Sequence, residues 1–255
     1  MIADFDLRVV TNGRIARGVY DVVMELDGEP ENFSPIPGQF AHIAARGVFL
    51  RRPKSIVGYD RNNRRVRFIV RNAGQGTEAI TSMSPGDFTK SLMPLGAPFP
   101  MEFANGASVW LVGGGIGAAP LIYAARSIYS AGSGSGIKSF LGFRDERDVF
   151  GERELAAFGE ISMDIGGFVT DLVKSALHTS RPDVIFSCGP APMMASLQKI
   201  CREENIKAYV SLEARMGCGV GACLVCNCLV NANPTEYSRV CRDGPVFDIS
   251  EVIMS

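Results

Sequence analysis

Histidine and tryptophan are scarce in this chain of 255 residues, at two copies and one. So few imidazoles leave little material for a hydrolytic triad or a histidine-rich metal site. His42 and His178 stand in no metal-ligand spacing and read as structural or surface residues. Neither sign of charge is in excess. Lys and Arg number 26 against 27 Asp and Glu, a net charge of −1, so no global field attracts nucleic acid. The N-terminus, MIADFDLRVV, has early acids and no long apolar core, which excludes a cleavable leader as its reading. The stretch from Ala107 to Ala125 runs 19 residues without a charge, close to the length of a membrane span. Four glycines and Pro120 lower its hydropathy, and a buried strand, a glycine turn and a helix start explain it better. With 46% hydrophobic and 21% charged residues, the composition is that of an ordinary soluble globular protein without an integral membrane segment.

What is present is cysteine in a pattern. The seven cysteines are an odd number, which opposes a disulfide framework and favours a reducing cytoplasm. Cys218, Cys223, Cys226 and Cys241 are spaced C-x4-C-x2-C-x14-C. The first three reproduce the plant-type 2Fe–2S ligand run, which also requires a distant fourth thiolate. Gly217, Gly219 and Gly221 frame the loop and allow backbone N–H groups to approach sulfur. Four cysteines also suit a tetrahedral zinc ion. Structural zinc sites usually use two short Cys pairs, whereas this is a triplet plus a singleton, which favours the cluster. Cys228 lies two residues beyond a ligand and is read as a non-ligand because the other four complete the spacing.

Two architectures precede the cysteines. Up to about residue 100, Pro and Gly recur at Pro35, Pro37, Gly38, Pro85, Gly86, Pro94, Gly96, Pro98 and Pro100, which opposes long helices and favours an antiparallel β-barrel or sandwich. Arg64–Val70 alternates basic and apolar residues, the period of a half-buried strand, after a turn at Asn62-Asn63. Beyond Asn105-Gly106, apolar strands are expected at Ala107–Val112, Ile137–Phe143, Asp183–Ser187 and Ile206–Leu212. Helices are expected at Leu121–Tyr129, Glu152–Phe158, Thr170–Leu177 and Pro190–Glu204. Such alternation predicts a Rossmann-like, doubly wound parallel sheet. A glycine–serine connection, 131–136, links two of its elements. The fold class is therefore mixed β and α/β with a small C-terminal cluster domain, divided at 1–102, 103–210 and 211–255.

Three further segments carry candidate chemistry. Gly115-x-Gly117-x-x-Pro120 follows a strand and opens a helix, which places N–H groups beside a pyrophosphate. Pro120 replaces the third glycine of the usual dinucleotide fingerprint, so the match is partial. Cys188-Gly189-Pro190 ends a strand, where ligands of open α/β sheets bind. The competing reading of Cys188 is a buried structural thiol. Between Arg46 and Arg71, nine Lys or Arg stand against a single acid, Asp60, an imbalance that wants an anion. Arg61, Arg64, Arg65 and Arg67 read as a solvated hairpin face; Arg52-Pro53-x-Ser55 fits that reading less well. Gly74-Gln75-Gly76-Thr77 reads as a small-residue loop with a hydroxyl, and Asp145, Glu146 and Asp148 as a solvated loop. Because the loop 143–147 holds both signs, it leaves the choice between NADH and NADPH open.

In this order, Arg52-Pro53-Lys54-Ser55, Gly74-x-Gly76-Thr77, Gly113-Gly114-Gly115-Ile116-Gly117, Cys188-Gly189-Pro190 and the cysteine run resemble the ferredoxin reductase superfamily. Leu212–Cys223 narrows the resemblance to the electron-transfer subunits of type B dihydroorotate dehydrogenase, and Pro37-Gly38-Gln39-Phe40, Pro94-Leu95-Gly96 and Gly167–Asp171 extend it over nearly the whole chain. The resemblance implies FAD in the barrel along Arg52, Pro53, Lys54 and Ser55, with Ile69, Val70, Arg71, Gly76 and Thr77 completing that site. It implies NAD at Gly115 and Gly117, with Cys188 and Gly189 at the nicotinamide–flavin contact, and a 2Fe–2S cluster on Cys218, Cys223, Cys226 and Cys241. It also implies an FMN-containing dihydroorotate dehydrogenase catalytic subunit as partner, in a two-plus-two heterotetramer serving pyrimidine biosynthesis. Related reductase subunits of a hydrogenase or a ferredoxin-linked transhydrogenase carry the same barrel and nucleotide motifs and remain the alternative.

Overall fold

A computed structural model describes residues 2–28, 33–133, 136–230 and 236–254. Gly134 and Ser135 of the glycine–serine connection lie outside the described residues. The N-terminal part contains β1 (Ala3–Ala16), β2 (Val19–Leu26), β3 (Phe40–Ile43), β4 (Arg52–Ser55), β5 (Gly58–Asp60), β6 (Arg65–Arg71), α1 (Gln75–Thr81) and β7 (Phe88–Leu95). The strands form an antiparallel sheet in the order β4-β3-β7-β1-β2-β6-β5. Its edge strand β4 also contacts β6, which curls the sheet toward a barrel. Alternation decides the faces. Val66, Phe68 and Val70 of β6 point into a core shared with Leu7, Val22, Met24 and Ile43, while Arg65 and Arg67 point out. Each large apolar side chain fully buried in this way contributes about 1.5–3 kcal/mol. The expected hairpin before β6 is present, but Gln75–Thr81 is a short helix rather than the loop expected from its small residues. The Thr77 hydroxyl accepts from Ala73 N and donates to Gly74 O, closing its own turn.

The α/β part contains β8 (Val109–Gly114), α2 (Ala118–Ile128), β9 (Ile137–Phe143), α3 (Glu152–Ala156), β10 (Glu160–Ile165), α4 (Val169–Leu177), β11 (Val184–Cys188), α5 (Ala191–Glu203) and β12 (Ala208–Ser211). The cysteine segment adds β13 (Asn227–Leu229), β14 (Tyr237–Arg239) and β15 (Val246–Asp248). The second sheet runs β10-β9-β8-β11-β12-β15, parallel throughout except for β15. Helices cover both faces. Val109 and Leu111 of β8 pack with α2 and Leu155 of α3, whereas Trp110 and Val112 pack with Val173 of α4 and Met194 and Leu197 of α5. A strand buried on both sides reads as a continuous apolar run, as β8 does. β10 was not expected, although Ile161, Met163 and Ile165 alternate with Glu160, Ser162 and Asp164; only two of its six residues are even half-buried.

Charge joins the two sheets. Arg67 of β6 donates to Asp21 of β2 and, at 2.6 Å, to Glu154 of α3; Arg126 of α2 reaches the same carboxylate. The expectation of a solvated Arg67 is therefore corrected: three carboxylate-facing donors hold it at the seam. Arg17 likewise grips Asp148 and lies beside Asp145, so these two acids of the run are tied down, while Glu146 is exposed as expected. Val19, Val57 and Ile69 of the barrel complete the seam by packing in one apolar cluster with Leu121 and Ile122 of α2. Among the described residues no helix is long and apolar enough to cross a membrane.

Candidate functional site

The four cysteines of the spacing pattern meet in one loop system at the end of the second sheet. Gly219 and Gly221 adopt positive φ, 75° and 82°, conformations that other residues enter at a cost. This winding turns backbone N–H groups inward. Val220 N, Ala222 N and Cys223 N approach the Cys218 sulfur at 3.4, 3.2 and 3.4 Å, Gly221 N approaches Cys241 Sγ at 3.1 Å, and Cys241 N approaches Cys226 Sγ at 3.4 Å. Burial is the largest single influence on the Cys218 thiol and raises its pKa. The N–H donors, with the Cys223 side chain, outweigh it and bring that thiol down to about 6. Cys241 goes the other way, pushed up to about 12 by burial and by the neighbouring Cys226. Cys218 pairs with Cys223, and Cys226 with Cys241. Among the described residues no three metal-ligating side chains close around a single point. Two pairs suit two irons with two thiolates each, and N–H groups aimed at sulfur are the donors by which a protein tunes such a cluster. Cys228 points instead to the Ser238 carbonyl at 3.5 Å. Arg239 braces the loop from behind, ion-paired to Asp243 at 2.9 Å and reaching Gly221 O.

Beside the loop lies a cleft of about 210 Å³ between the two sheets. Pro53, Lys54, Ser55 and Ile69 line it from the barrel, Ile116, Pro120 and Cys188 from the α/β part, and Glu213, Ala214 and Met216 from the cysteine segment. Four of the sequence-derived candidates in the barrel thus reach the cleft. Val70 does not present its side chain there, being fully buried in the barrel core. Arg52 donates only to the Leu50 and Arg51 carbonyls, and Gly76 packs so closely on its guanidinium that a Cβ would collide with it. Arg71 lies over the glycine turn, its guanidinium 3.7 Å from where a Cβ on Gly115 would stand. Arg52, Lys54 and Arg71 have no carboxylate within ion-pair distance among the described residues. Cations left without counter-ions beside a cleft fit a phosphorylated ligand, and Arg presents forked donors to it.

The glycine turn has its own steric logic. Gly115 takes φ of 54° in a short 3-10 turn that leads into α2. Gly117 packs on the Cys188 carbonyl and Gly189 N, with no space for a side chain. This contact joins the ends of β8 and β11 into one rim at the N-terminus of α2, a helix end whose free N–H groups suit an anion. Gly117→Ala should therefore destabilise the protein by about 1–3 kcal/mol, as overpacked sites do, and raise the apparent KM for NADH. Gly13→Ala, which has open space around it, should do neither. Thermal unfolding and NADH titration of the two variants check this. Cys188 is buried and its thiol is pushed up to about 12, by burial first and then by the Glu213 charge. At neutral pH it therefore presents a protonated, uncharged sulfur to the cleft.

Several residues were not found from the sequence. His42 is buried, with Nε2 3.0 Å from the Arg51 carbonyl and Nδ1 facing Gly219 of the cluster loop. It is structural, as expected, but it sits between strand β4 and the cysteines, and no spacing signal marks it. Glu213 and Met216 were quoted only as part of a motif, and Phe40, which also lines the cleft, only within Pro37-Gly38-Gln39-Phe40. Asp145 is committed to Arg147 at 2.8 Å and to Arg17, which leaves less of it for a ribose hydroxyl.

Comparison with known proteins agrees with this geometry. The family model of the iron-sulfur cluster binding domain of dihydroorotate dehydrogenase B matches residues 213–253. The dihydroorotate dehydrogenase B (NAD(+)) electron transfer subunit of Shouchella clausii is 40% identical over 260 residues, covering 97% of both chains. The protein of that name from Geobacillus sp. is 38% identical over 265 residues, covering all of both. Among solved structures, an NADH-dependent reduced ferredoxin-NADP oxidoreductase superposes with a TM-score of 0.84 at 25% identity, over 97% of this chain and 90% of that one. A cytochrome P450 reductase of Amycolatopsis shares the fold, with a TM-score of 0.68 at 23% identity over 79% of this chain and 66% of its own.

Proposed function

Because the chain belongs to the family of electron transfer subunits of NAD(+)-dependent dihydroorotate dehydrogenase B, we propose that it conducts electrons from a catalytic partner through its own 2Fe–2S cluster and FAD to NAD+, in pyrimidine biosynthesis. The partner would hold FMN and oxidise dihydroorotate to orotate in a two-plus-two assembly. Residues 1–102, 103–210 and 211–255 would serve as the flavin, nucleotide and cluster units, and seven free cysteines suit a reducing cytoplasm. The observation that carries this reading is contiguity: one cleft is lined by Lys54 and Ser55 of the barrel, by Ile116 of the glycine turn and by Met216 of the segment that leads into the cysteine loop.

When bound, the flavin supplies the exchange between a hydride on the nucleotide side and single electrons on the cluster side. The protein's share is placement. Gly115 and Gly117 would offer backbone N–H groups to the nucleotide phosphates, and Arg52 and Arg71 would offer donors to the flavin phosphates. Pro53, Ser55 and Ile69 on one side, and Cys188 with Pro120 on the other, would hold the flavin ring and the nicotinamide. Cys188, protonated and neutral, lines the cleft without adding charge. Cys218, Cys223, Cys226 and Cys241 would hold the cluster, with the N–H groups of 220–223 setting its potential. Phe49, Val220, Leu224 and Val225 are exposed around the cluster loop and the neighbouring strand β4, and such apolar side chains suit a protein partner.

Anaerobically purified protein should be yellow-brown, contain FAD and iron, and lose its flavin absorbance on adding NADH. Mixed with its partner it should oxidise NADH when orotate is supplied. A fully loaded sample that NADH does not bleach would overturn the reading. The alternative, a reductase subunit of a hydrogenase or transhydrogenase, draws support from the similarity to the ferredoxin-NADP oxidoreductase. Co-purification with an FMN-containing partner and orotate-dependent turnover separate the two.

A further inference from the structure

Lys54 and Glu213 are the charged side chains that line the cleft, one on the barrel strand β4 and one on the segment leaving β12. Strand periodicity places Lys54 on the same side of β4 as Arg52. The Lys54 ammonium has no hydrogen bond or salt bridge among the described residues, and its nearest opposite charge is Glu213 across the cleft. Burial lowers its pKa, Glu213 raises it and Arg52 lowers it again. A half-buried ammonium without an ion-pair partner costs free energy. It therefore marks the place as one where a negative charge is expected to appear.

We propose that Lys54 and Glu213 form an opposed pair that sets the reduction potential of the flavin, Lys54 favouring the reduced ring and Glu213 disfavouring it. The inference rests on the reading that FAD occupies this cleft. Oxidised isoalloxazine is neutral. On taking a hydride, two electrons and one proton, from NADH, which leaves as NAD+, the ring becomes an anion at neutral pH. An ammonium on one wall lowers the energy of that anion and a carboxylate on the other raises it. Lys54 is partly withdrawn from water, so its charge acts more strongly than it would on the surface, whereas Glu213 is exposed and acts more weakly. The two residues are positioning charges for the cofactor, acting on an equilibrium and taking no part in bond making.

The test is an anaerobic reductive titration of the whole loaded protein against a reference dye, following the flavin band. Lys54→Met should shift the oxidised-to-reduced ratio at fixed poise at least tenfold toward oxidised, roughly 30 mV for a two-electron couple. Glu213→Gln should shift it in the opposite direction, and Lys54→Arg should stay within threefold of wild type. A structural disturbance would not give shifts of opposite sign from opposite walls. If Lys54→Met leaves the ratio unchanged, or if both variants move it the same way, the inference is overturned. Should Lys54→Met fail to retain FAD, Glu213→Gln decides alone: no shift toward reduced flavin sinks the proposal. Wild-type protein without FAD would instead overturn the functional reading on which this one stands.

Discussion

Cys241→Ser should strip the chain of its iron while leaving NADH able to bleach the flavin. Cys241 is the distant ligand of the pattern, buried, and its sulfur receives Gly221 N at 3.1 Å. A hydroxyl in its place is a poorer, mostly protonated donor, so one corner of the cage opens. Losing a supporting group outside the ligand set already weakens metal sites about 10–100-fold, and losing a ligand should exceed that range. Cys228→Ser should keep its iron, because that thiol faces the Ser238 carbonyl. Iron analysis and EPR of the reduced proteins check both variants. Orotate-dependent NADH oxidation should fall to background only in the first, since the nucleotide and flavin sites lie on other segments. Retention of iron by Cys241→Ser together with its loss from Cys228→Ser would reassign the fourth ligand.

Arg67→Met should loosen the seam between the sheets. The guanidinium bridges Asp21 and Glu154 at 2.8 and 2.6 Å, with side-chain exposures of 19% for Arg67 and 34% for Glu154. Such a pair falls between an exposed one, worth up to about 1 kcal/mol, and a buried one, whose disruption costs about 3–5 kcal/mol. A loss of about 2 kcal/mol is expected, a fall in Tm of roughly 4–8 °C for a chain of this size. Arg67→Lys should recover only part of it, because an ammonium cannot fork to two carboxylates. Acidity supplies a second check. The hydrogen bond from Arg67 holds the Glu154 carboxyl below its ordinary pKa. A depressed folded pKa contributes stability above the unfolded value, near 4.5, and loses it as pH falls through the folded one. The gap in Tm between wild type and Arg67→Met should therefore be full at neutral pH and shrink below about pH 4. A gap that does not change with pH would place the cost in lost packing.

Legibility followed sequence distance. The cysteine loop was readable because its pattern is local: three of its four cysteines fall within nine residues, and glycines stand where backbone approaches sulfur. The glycine turn was readable for the same reason, as was β8 from its unbroken apolar run. Arg67 was misjudged because its partners lie 46 and 87 residues away, so that locally it is one more basic residue on a hairpin. β10 is a largely exposed edge strand, and its short alternation of Ile161, Met163 and Ile165 with polar residues was legible but passed over. Lys54 stands inside a motif, yet its lack of an ion-pair partner among the described residues becomes visible only in the folded cleft. His42 shows the limit most plainly, since one buried ring between a flavin-side strand and a cysteine loop leaves no trace in composition or spacing.

The cysteine segment leaves the second sheet at β12 and rejoins it at β15, the strand directly alongside. Leu212 N bonds Pro245 O at 2.9 Å at the neck, and Gln198 of α5 holds the carbonyls of Ile249 and Val252. Both feet of the excursion are thus nailed to one plank. A carrier that delivers charge by swinging on a leash needs slack, and its turnover slows in syrupy solvent. Here both ends of the segment are tied to one sheet, so internal transfer should be indifferent to added glycerol, and any viscosity dependence should report the docking of the other subunit.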